Sequence, residues 1–135
     1  MTQSNFFELV PLAPKFYEFV RDLRNNSEIN DNFITQDYIT IESHNNYMNE
    51  NAKSYFVCLR NGDPVGFIGV VANDIRIAVL PTQTRNGAGT FMLEKISEIF
   101  PNATAKIKIE NEASLKLFES VGFKKRFFLL EKDSK

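Results

Sequence analysis

The chain has 135 residues, the length of one domain that can bury a single hydrophobic core. Sixteen basic side chains against 17 acidic ones leave a net charge of −1, so the chain as a whole does not attract nucleic acid or anionic lipid. No apolar run reaches the roughly 20 residues of a membrane span. No secretory signal is visible, and the single cysteine, Cys58, excludes an internal disulfide and a cysteine metal cage. We therefore expect a cytoplasmic protein that acts on a small molecule or on another protein.

Residues 1–51 predict one strand and two helices. "NFFELVPL" is typical of a strand, and "APKFYEFVRDLRNN" places its apolar residues at helical spacing. The next stretch, "NSEINDNFITQDY", is polar and has no clear period. Thr40 then precedes "IESHNNYMNEN", and its hydroxyl predicts the N-cap of a second helix.

The rest of the chain predicts five strands and two helices. "SYFVCLRN", "VGFIGVVAN" and "DIRIAVLP" are strands joined by tight turns, the second turn at Asn73-Asp74. A helix that ends near Pro101 precedes the alternating strand "ATAKIKIE". The helix "NEASLKLFESVG" ends at Gly122 and precedes a last strand, "FKKRFFLLEK". This order predicts a single mixed α/β domain over residues 1–135 and argues against a simple dinucleotide-binding fold.

The segment "LPTQTRNGAGTFMLEKI" joins an apolar strand to a helix through two glycines. Gly87 and Gly89 permit a sharp turn and the close approach of a ligand, and the first amides of the following helix have no partner within it. These features suit a pyrophosphate, although a Gly-x-Gly segment by itself is more often a simple turn. The segment lacks the Gly-Lys-Ser/Thr of nucleotide hydrolases and the third glycine of dinucleotide sites, where Phe91 and Met92 follow instead.

Two linked motifs carry a family resemblance. "IAVLPTQTRNGAGTFML" resembles the acetyl-CoA-binding motif of the GNAT N-acetyltransferase superfamily: an apolar strand, Val-x-Pro, a polar stretch, Gly-x-Gly and a helix. "NEASLKLFESVGF" is similar to the second motif of that family, in which an asparagine opens a helix that ends in Gly-Phe; the matching residues are Asn111, Gly122 and Phe123. The close resemblance extends from Asp74 to Phe123.

The resemblance implies an α/β fold with a mixed, mostly antiparallel sheet, splayed open at the fourth strand and flanked by about four helices. It implies acetyl-CoA as the cofactor, bound in the splay, and no metal. The cofactor-binding positions that it implies are Ile77, Val79, Arg85, Asn86, Gly87, Ala88, Gly89, Thr90, Asn111, Ser114 and Phe118.

The implied reaction is the direct attack of a primary amine on the thioester, in a complex that holds both substrates. The backbone of Val79 would contact the pantetheine arm and the thioester carbonyl, where an N–H can stabilise the developing oxyanion. Asp74 and His44 are the candidates for the base that takes the proton of the amine. For each a plainer interpretation is more common: Asn73-Asp74 suits a hairpin turn, and a lone histidine on a surface helix is usually inert.

Three positions depart from the family pattern. Thr84 stands where the loop usually has glutamine or arginine. Phe118 stands where many members have a tyrosine that protonates the leaving thiolate, and a phenyl ring cannot donate a proton. The 12 residues after Phe123, 124 to 135, suffice for one strand, which we expect to pair antiparallel with "ATAKIKI". The sheet edge left open makes a homodimer plausible.

The segment from Leu23 to Met48 bears on the acceptor. It is loosely similar to family members that acetylate amino groups on nucleotide-linked sugars, with Arg24, Asn25 and His44 as matching, substrate-binding residues. We therefore predict an N-acetyltransferase for a small-molecule amine, with a nucleotide-linked amino sugar as one candidate. The alternatives are acetylation of protein N-termini or lysines, and a non-catalytic acyl-CoA-binding module.

Overall fold

The computed structural model describes residues 6–25, 40–84 and 86–133. Its main elements follow in the chain order β1 (Phe7–Pro11), α1 (Tyr17–Asn25), α2 (Ile41–Asn51), β2 (Tyr55–Arg60), β3 (Asp63–Val71), β4 (Asp74–Val79), α3 (Ala88–Ile99) and α4 (Glu112–Ser120). None of the helices in these ranges has the length and apolar character to cross a membrane.

The four strands form one antiparallel sheet in the order β1-β2-β3-β4. The turn between β3 and β4 falls on Ala72 and Asn73, whose φ angles are 52° and 67°. Two central residues with positive φ match the twist of a hairpin, so the turn lies one residue earlier than the predicted Asn73-Asp74 pair. Asp74 is therefore the first residue of β4 and not a turn residue.

Apolar clusters cover both faces of the sheet. The cluster under α1 and α2 includes Val20, Leu23, Met48, Val57, Phe67 and Ala78. The cluster under α3 and α4 includes Ile68, Ile75, Met92, Leu93, Ile96 and Phe118. Because side chains alternate along a strand, Arg76 and Ala78 of β4 face α1 and α2, whereas Ile75, Ile77 and Val79 face α3 and α4.

Side-chain caps define where α2 and α4 begin. Thr40 Oγ1 accepts a hydrogen bond from the Ser43 amide at 3.1 Å, as the sequence predicted. Asn111 Oδ1 accepts from the Ser114 amide at 3.1 Å in the same way. Gly122, with φ of 104°, follows the last turn of α4, where a left-handed residue ends a helix at little cost.

Two predicted strands do not form in the described residues. "ATAKIKIE" touches the sheet only at a parallel bridge between Asp74 and Thr104, and residues 124–133 have no strand conformation. Four consecutive apolar side chains in 127–130 are between 71% and 93% exposed. Strand propensity is realised only where a neighbouring backbone pairs with the segment, and among the described residues neither segment has such pairing beyond the bridge. The mixed α/β class, the mostly antiparallel sheet opened beside its fourth strand and the four flanking α-helices are confirmed.

Candidate active site

The cleft of the domain opens where β4 and the segment 103–107 separate. Their pairing is confined to one end, where the Thr104 amide donates to Asn73 O and the Ile75 amide donates to Thr104 O, each at 2.8 Å. Beyond this bridge lies a cleft of about 890 Å³, with Ile77 and Val79 on one wall and residues 105–107 on the other. The cleft crosses the open edge of the sheet and reaches both of its faces.

The backbone of β4 offers hydrogen-bonding groups to this cleft. The Leu80 amide donates to Val65 O at 2.8 Å, and the next cross-strand pair is Gly66 with Val79. Antiparallel pairs alternate between bonded and non-bonded, so the N–H and C=O of Val79 point away from β3. The same alternation directs the backbone of Ile77 outward. Ile77 and Val79 thus present their backbone N–H and C=O groups to the cleft, as residues at a free strand edge do.

The N-terminus of α3 closes one end of the cleft. Gly87, with φ of 93°, supplies the left-handed residue at the turn, and its carbonyl accepts the first helical bond, from Phe91, at 3.0 Å. The amides of the first helical residues before Phe91 have no acceptor within the helix, and Gly87, Gly89 and Thr90 line the cleft. A Cβ on Gly89 would lie 2.9 Å from Cδ2 of Leu117, so glycine lets α3 and α4 approach closely here.

Helix α4 forms the wall opposite β4. Asn111, Ser114 and Phe118 line the cleft from its first turns, one and two turns apart. Phe118 is 3% exposed and packs edge-on against Phe123, with ring centroids 5.0 Å apart. This wall is therefore polar where the helix begins and aromatic farther along it.

A cluster of basic and tyrosyl side chains occupies the part of the cleft that faces α1 and α2. Arg24, Tyr55 and Arg76 line it. The hydroxyls of Tyr47 and Tyr55 are 2.8 Å apart, and Arg76 Nη1 donates to the Tyr47 hydroxyl at 3.2 Å. The guanidinium of Arg24 lies over the Tyr47 ring, 5.0 Å from its centroid. Burial is the largest influence on the pKa of Tyr55, which is raised well above its ordinary value, so the Tyr55 hydroxyl stays protonated.

Gly69 makes room for this cluster. Tyr55 pairs with Gly69, and Gly69 pairs with Arg76, across neighbouring strands. A Cβ on Gly69 would lie 2.5 Å from two carbons of the Tyr55 ring, so the ring must lie directly over the glycine. The absence of a side chain on β3 therefore lets Tyr55 extend across it toward β4.

His44 is fully buried, which corrects the expectation of a histidine on a helix surface. Its Nε2 lies 2.8 Å from the Tyr17 carbonyl, and its Nδ1 lies 3.3 Å from Arg24 Nη1. Because a carbonyl only accepts, Nε2 carries the proton and Nδ1 accepts from arginine. Burial, followed by the charges of Arg24 and Arg21, lowers the pKa of His44, against the Tyr17 hydrogen bond and Glu18. The neutral ring thus holds the Arg24 side chain in place.

Most of the residues predicted for the site lie on the cleft wall. These are Arg24, Asp74, Ile77, Val79, Gly87, Gly89, Thr90, Asn111, Ser114 and Phe118. Asn25, His44, Asn86 and Ala88 are not among the lining residues, and Arg85 lies outside the described residues. The Asp74 carboxylate lies 3.7 Å from Arg76 Nε at the bridged end of the cleft.

Arg76 and Tyr55 line the cleft but were not among the residues predicted for the site. The signal for Arg76 is its place inside the apolar run "DIRIAV", where alternation puts it on the face opposite the three apolar side chains Ile75, Ile77 and Val79. Tyr55 gave no signal of its own, since a tyrosine at the start of a strand is ordinary. Only the cross-strand register brings it to Arg76.

Comparisons with known proteins agree with this geometry. A family model described as acetyltransferase (GNAT) family matches residues 16–123. A search of curated proteins found no match. Structural relatives below 25% identity establish the fold alone.

Three solved structures illustrate the likeness. Spermidine N-acetyltransferase from Vibrio cholerae, in complex with CoA and spermine, is 17% identical with a TM-score of 0.81, covering 93% of this chain and 85% of that one. A domain from Methanocaldococcus jannaschii is 21% identical with a TM-score of 0.80, covering 91% of each chain. Aminoglycoside N-acetyltransferase AAC(6′)-Iy, in complex with CoA, is 14% identical with a TM-score of 0.72, covering 100% of this chain and 99% of that one. With a family model matched over residues 16–123 and a sheet opened beside its fourth strand, the chain belongs to the GNAT family of acetyltransferases.

Proposed function

We propose that the chain is an N-acetyltransferase that moves an acetyl group from acetyl-CoA to a primary amine of a small molecule. The observation that carries the proposal is the single cleft that joins the outward-facing backbone of β4 to the N-terminus of α3. The spermidine and aminoglycoside acetyltransferases of similar fold act on small amines, as their names state, which supports the same substrate class here.

The residues present fit CoA on two grounds. The N–H and C=O of Ile77 and Val79 face the cleft and lack a neighbouring strand there, so they suit the amide groups of a pantetheine arm. The N-terminus of α3 suits a pyrophosphate, because its amides are unpaired within the helix and its dipole favours negative charge. Lys106 and Lys116 also line the cleft and add positive charge for the phosphates.

Acetyl-CoA, when bound, supplies an activated acetyl group and a thiolate leaving group. The chain's own residues orient the amine and accept its proton. The Val79 N–H, directed into the cleft, is the donor that we assign to the acetyl carbonyl oxygen. Asp74 is the base that we assign to the amine. Its carboxylate lines the same cleft but lies five residues before Val79 on β4, so we assign the proton's path between them to water. We assign His44 a positioning role through Arg24, since both of its ring nitrogens are engaged.

The acceptor end is formed by residues of α1, β2 and β4. Arg24 lines this end of the cleft. Asn25, the last residue of α1, follows Arg24 in sequence but is not among the lining residues. A nucleotide-linked amino sugar remains our candidate acceptor. A non-catalytic acyl-CoA-binding module is the second candidate function. It is favoured by Phe118, which lines the cleft but has no proton to donate to a leaving thiolate.

Calorimetric titration with CoA, acetyl-CoA and ATP tests cofactor binding. We expect CoA and acetyl-CoA to bind and ATP not to. Thr90→Glu places a carboxylate at the N-terminus of α3 inside the cleft, so it should weaken CoA binding about tenfold or more while leaving the helix as stable or more so. Thr82→Glu is the matched control, because Thr82 is exposed and does not line the cleft.

Thiol release with an amine panel then separates the two candidate functions. Steady turnover with any small amine supports the transferase. CoA binding without turnover on any amine or peptide supports the binding module, and failure to bind CoA contradicts both.

We also propose that two copies associate through residues 124–133. Phe127, Phe128, Leu129 and Leu130 form a run of apolar side chains exposed by 71% or more. A contiguous exposed apolar patch of this kind marks an interaction site. The partly paired segment 103–107 of a second copy supplies a strand edge that such an extended segment suits.

A further inference from the structure

The acceptor end of the cleft concentrates positive charge. Arg24 and Arg76 both line it and both contact Tyr47, Arg24 over the ring and Arg76 at the hydroxyl. Burial, with the charge of Arg76 adding to it, lowers the pKa of Arg24. Two guanidiniums against the one carboxylate of Asp74 leave the described lining of this end positive, a charge that an anionic group would offset. Arg24 belongs to α1 and Arg76 to β4, so the packing of α1 against the sheet brings the two side chains together.

The two guanidiniums are held in place by their neighbours. Arg24 is supported by its hydrogen bond to His44 and by the ring of Tyr47. Arg76 donates through Nη1 to the hydroxyl of Tyr47, which in turn contacts the hydroxyl of Tyr55. A preorganised guanidinium loses less freedom when it binds an oxyanion, so such a site suits recognition.

Arg76 retains donors for a ligand. Its side chain is 43% exposed, and the Asp74 carboxylate stands 3.7 Å from its Nε, beyond a good hydrogen bond. Within the described part of the chain, the hydrogen bond of its Nη1 to Tyr47 is the one that the Arg76 side chain makes. Arg76 and Val79 are three residues apart on β4, roughly 10 Å in an extended strand. A small acceptor can therefore span both points.

We infer that the Arg24–Arg76 end of the cleft binds an oxyanion, a carboxylate or phosphate carried by the amine acceptor, and that Arg76 contacts it directly. The inference rests on the proposed function for its assignment of this end to the acceptor. It names a substrate class opposite in charge to polyamines, because the net positive charge of two arginines against the Asp74 carboxylate disfavours a polycation. Arg24 acts as a second positive charge and is a positioning residue for the cluster.

The test uses the full chain saturated with CoA, so that the α3 end of the cleft is already occupied. The probes are two pairs that differ in one anion: glucosamine 6-phosphate against glucosamine, and alanine against alaninamide. Spermidine is the cationic control. Thermal-shift and NMR titrations report binding without requiring that any probe be the true acceptor.

We expect glucosamine 6-phosphate to bind more tightly than glucosamine, or alanine more tightly than alaninamide. Spermidine should bind least. Arg76→Gln should weaken that binding about tenfold to a hundredfold, and Arg76→Lys should recover part of it, since lysine keeps the charge but not the planar fork. Lys53→Gln removes one exposed charge outside the cleft and should change nothing. The pair that shows the larger difference in affinity identifies the anion as a phosphate or a carboxylate.

Equal binding of the anionic and neutral probes, or undiminished anion binding by a folded Arg76→Gln variant, would overturn the inference. Failure of CoA to bind would instead contradict the proposed function. In that case the same probes are titrated without CoA. Loss of anion binding in Arg76→Gln would still support the anion site, and unchanged binding would contradict it.

Discussion

Single residues in this domain serve more than one element at once. His44 connects α2 to α1 through the Tyr17 carbonyl and to the cleft through Arg24. Asp74 begins β4, pairs with the neighbouring segment at Thr104 and lines the cleft. Gly69 supports the ring of Tyr55 by having no side chain. A change at any of these positions should therefore affect both stability and the site, and the two effects must be measured separately.

The pH dependence of stability should report the burial of His44. Burial lowers its pKa below the ordinary 6.5, so the unfolded chain binds more protons than the folded one once the pH falls to that value. The stabilisation is fully present above about pH 6.5 and decreases as the pH falls toward the folded pKa. Urea unfolding between about pH 7.5 and 5.5 should show the free energy of unfolding decreasing, above the range where carboxylates titrate.

The control for this prediction is His44→Gln. That variant is less stable at every pH but should lose the decrease over the same interval. A decrease of equal size in both proteins would assign the effect to other groups.

Asp74→Asn should slow acetyl transfer about a hundredfold in kcat/KM at neutral pH, because the amide cannot accept the proton of the amine. CoA affinity should not change, since Asp74 lies at the bridged end of the cleft and away from α3. Steady-state kinetics with the amine found in the acceptor screen measures this. Asp63→Asn, at the exposed start of β3, is the matched control, and wild-type rates for Asp74→Asn would remove Asp74 from the mechanism.

Among the elements, α4 begins with one residue that both caps the helix and lines the cleft. Asn111 caps the helix through its Oδ1, while the residue itself lines the cleft. Thr40 caps α2 with the same geometry but does not line that cleft. The chain thus contains two similar caps of which only one borders the site.

Asn111→Ala and Thr40→Ala form a matched pair. Each should lower the free energy of unfolding by about 1 kcal/mol, the usual value of a lost side-chain cap. Only Asn111→Ala should also weaken CoA binding. Equal CoA affinity in the two variants would show that Asn111 acts as a cap alone.

For the whole molecule, the exposed apolar run in residues 127–130 carries the proposed association of two copies. The double variant Phe128→Lys, Leu130→Lys adds charge to the exposed apolar run. If two copies associate through this segment, the wild type should elute as a dimer and the variant as a monomer in size-exclusion chromatography with light scattering. Ile99→Lys, on an exposed position of α3, is the control and should leave the dimer intact. A monomeric wild type would contradict the proposal.

Element types followed from local pattern where tertiary contacts agreed with it. The apolar spacing of α1, the Thr40 cap of α2, the end of α4 before Gly122, and the strands β2, β3 and β4 were all predicted. The segments "ATAKIKIE" and "FKKRFFLL" have the same strand-like composition yet form no strand in the described residues. Their failure is physical: a strand is stabilised by a neighbour's backbone, which sequence pattern does not supply.

The sequence by itself determined the family and the glycine turn before α3, and it predicted most of the residues that line the α3 end of the cleft. These are properties of contiguous segments, in which spacing along the chain sets position in space. Only the tertiary structure decided that His44 is buried, that the cleft opens beyond the Asp74–Thr104 bridge and that Arg24 and Arg76 share its far end. Those facts depend on register across strands and on the packing of α1 against the sheet, which join residues far apart in sequence.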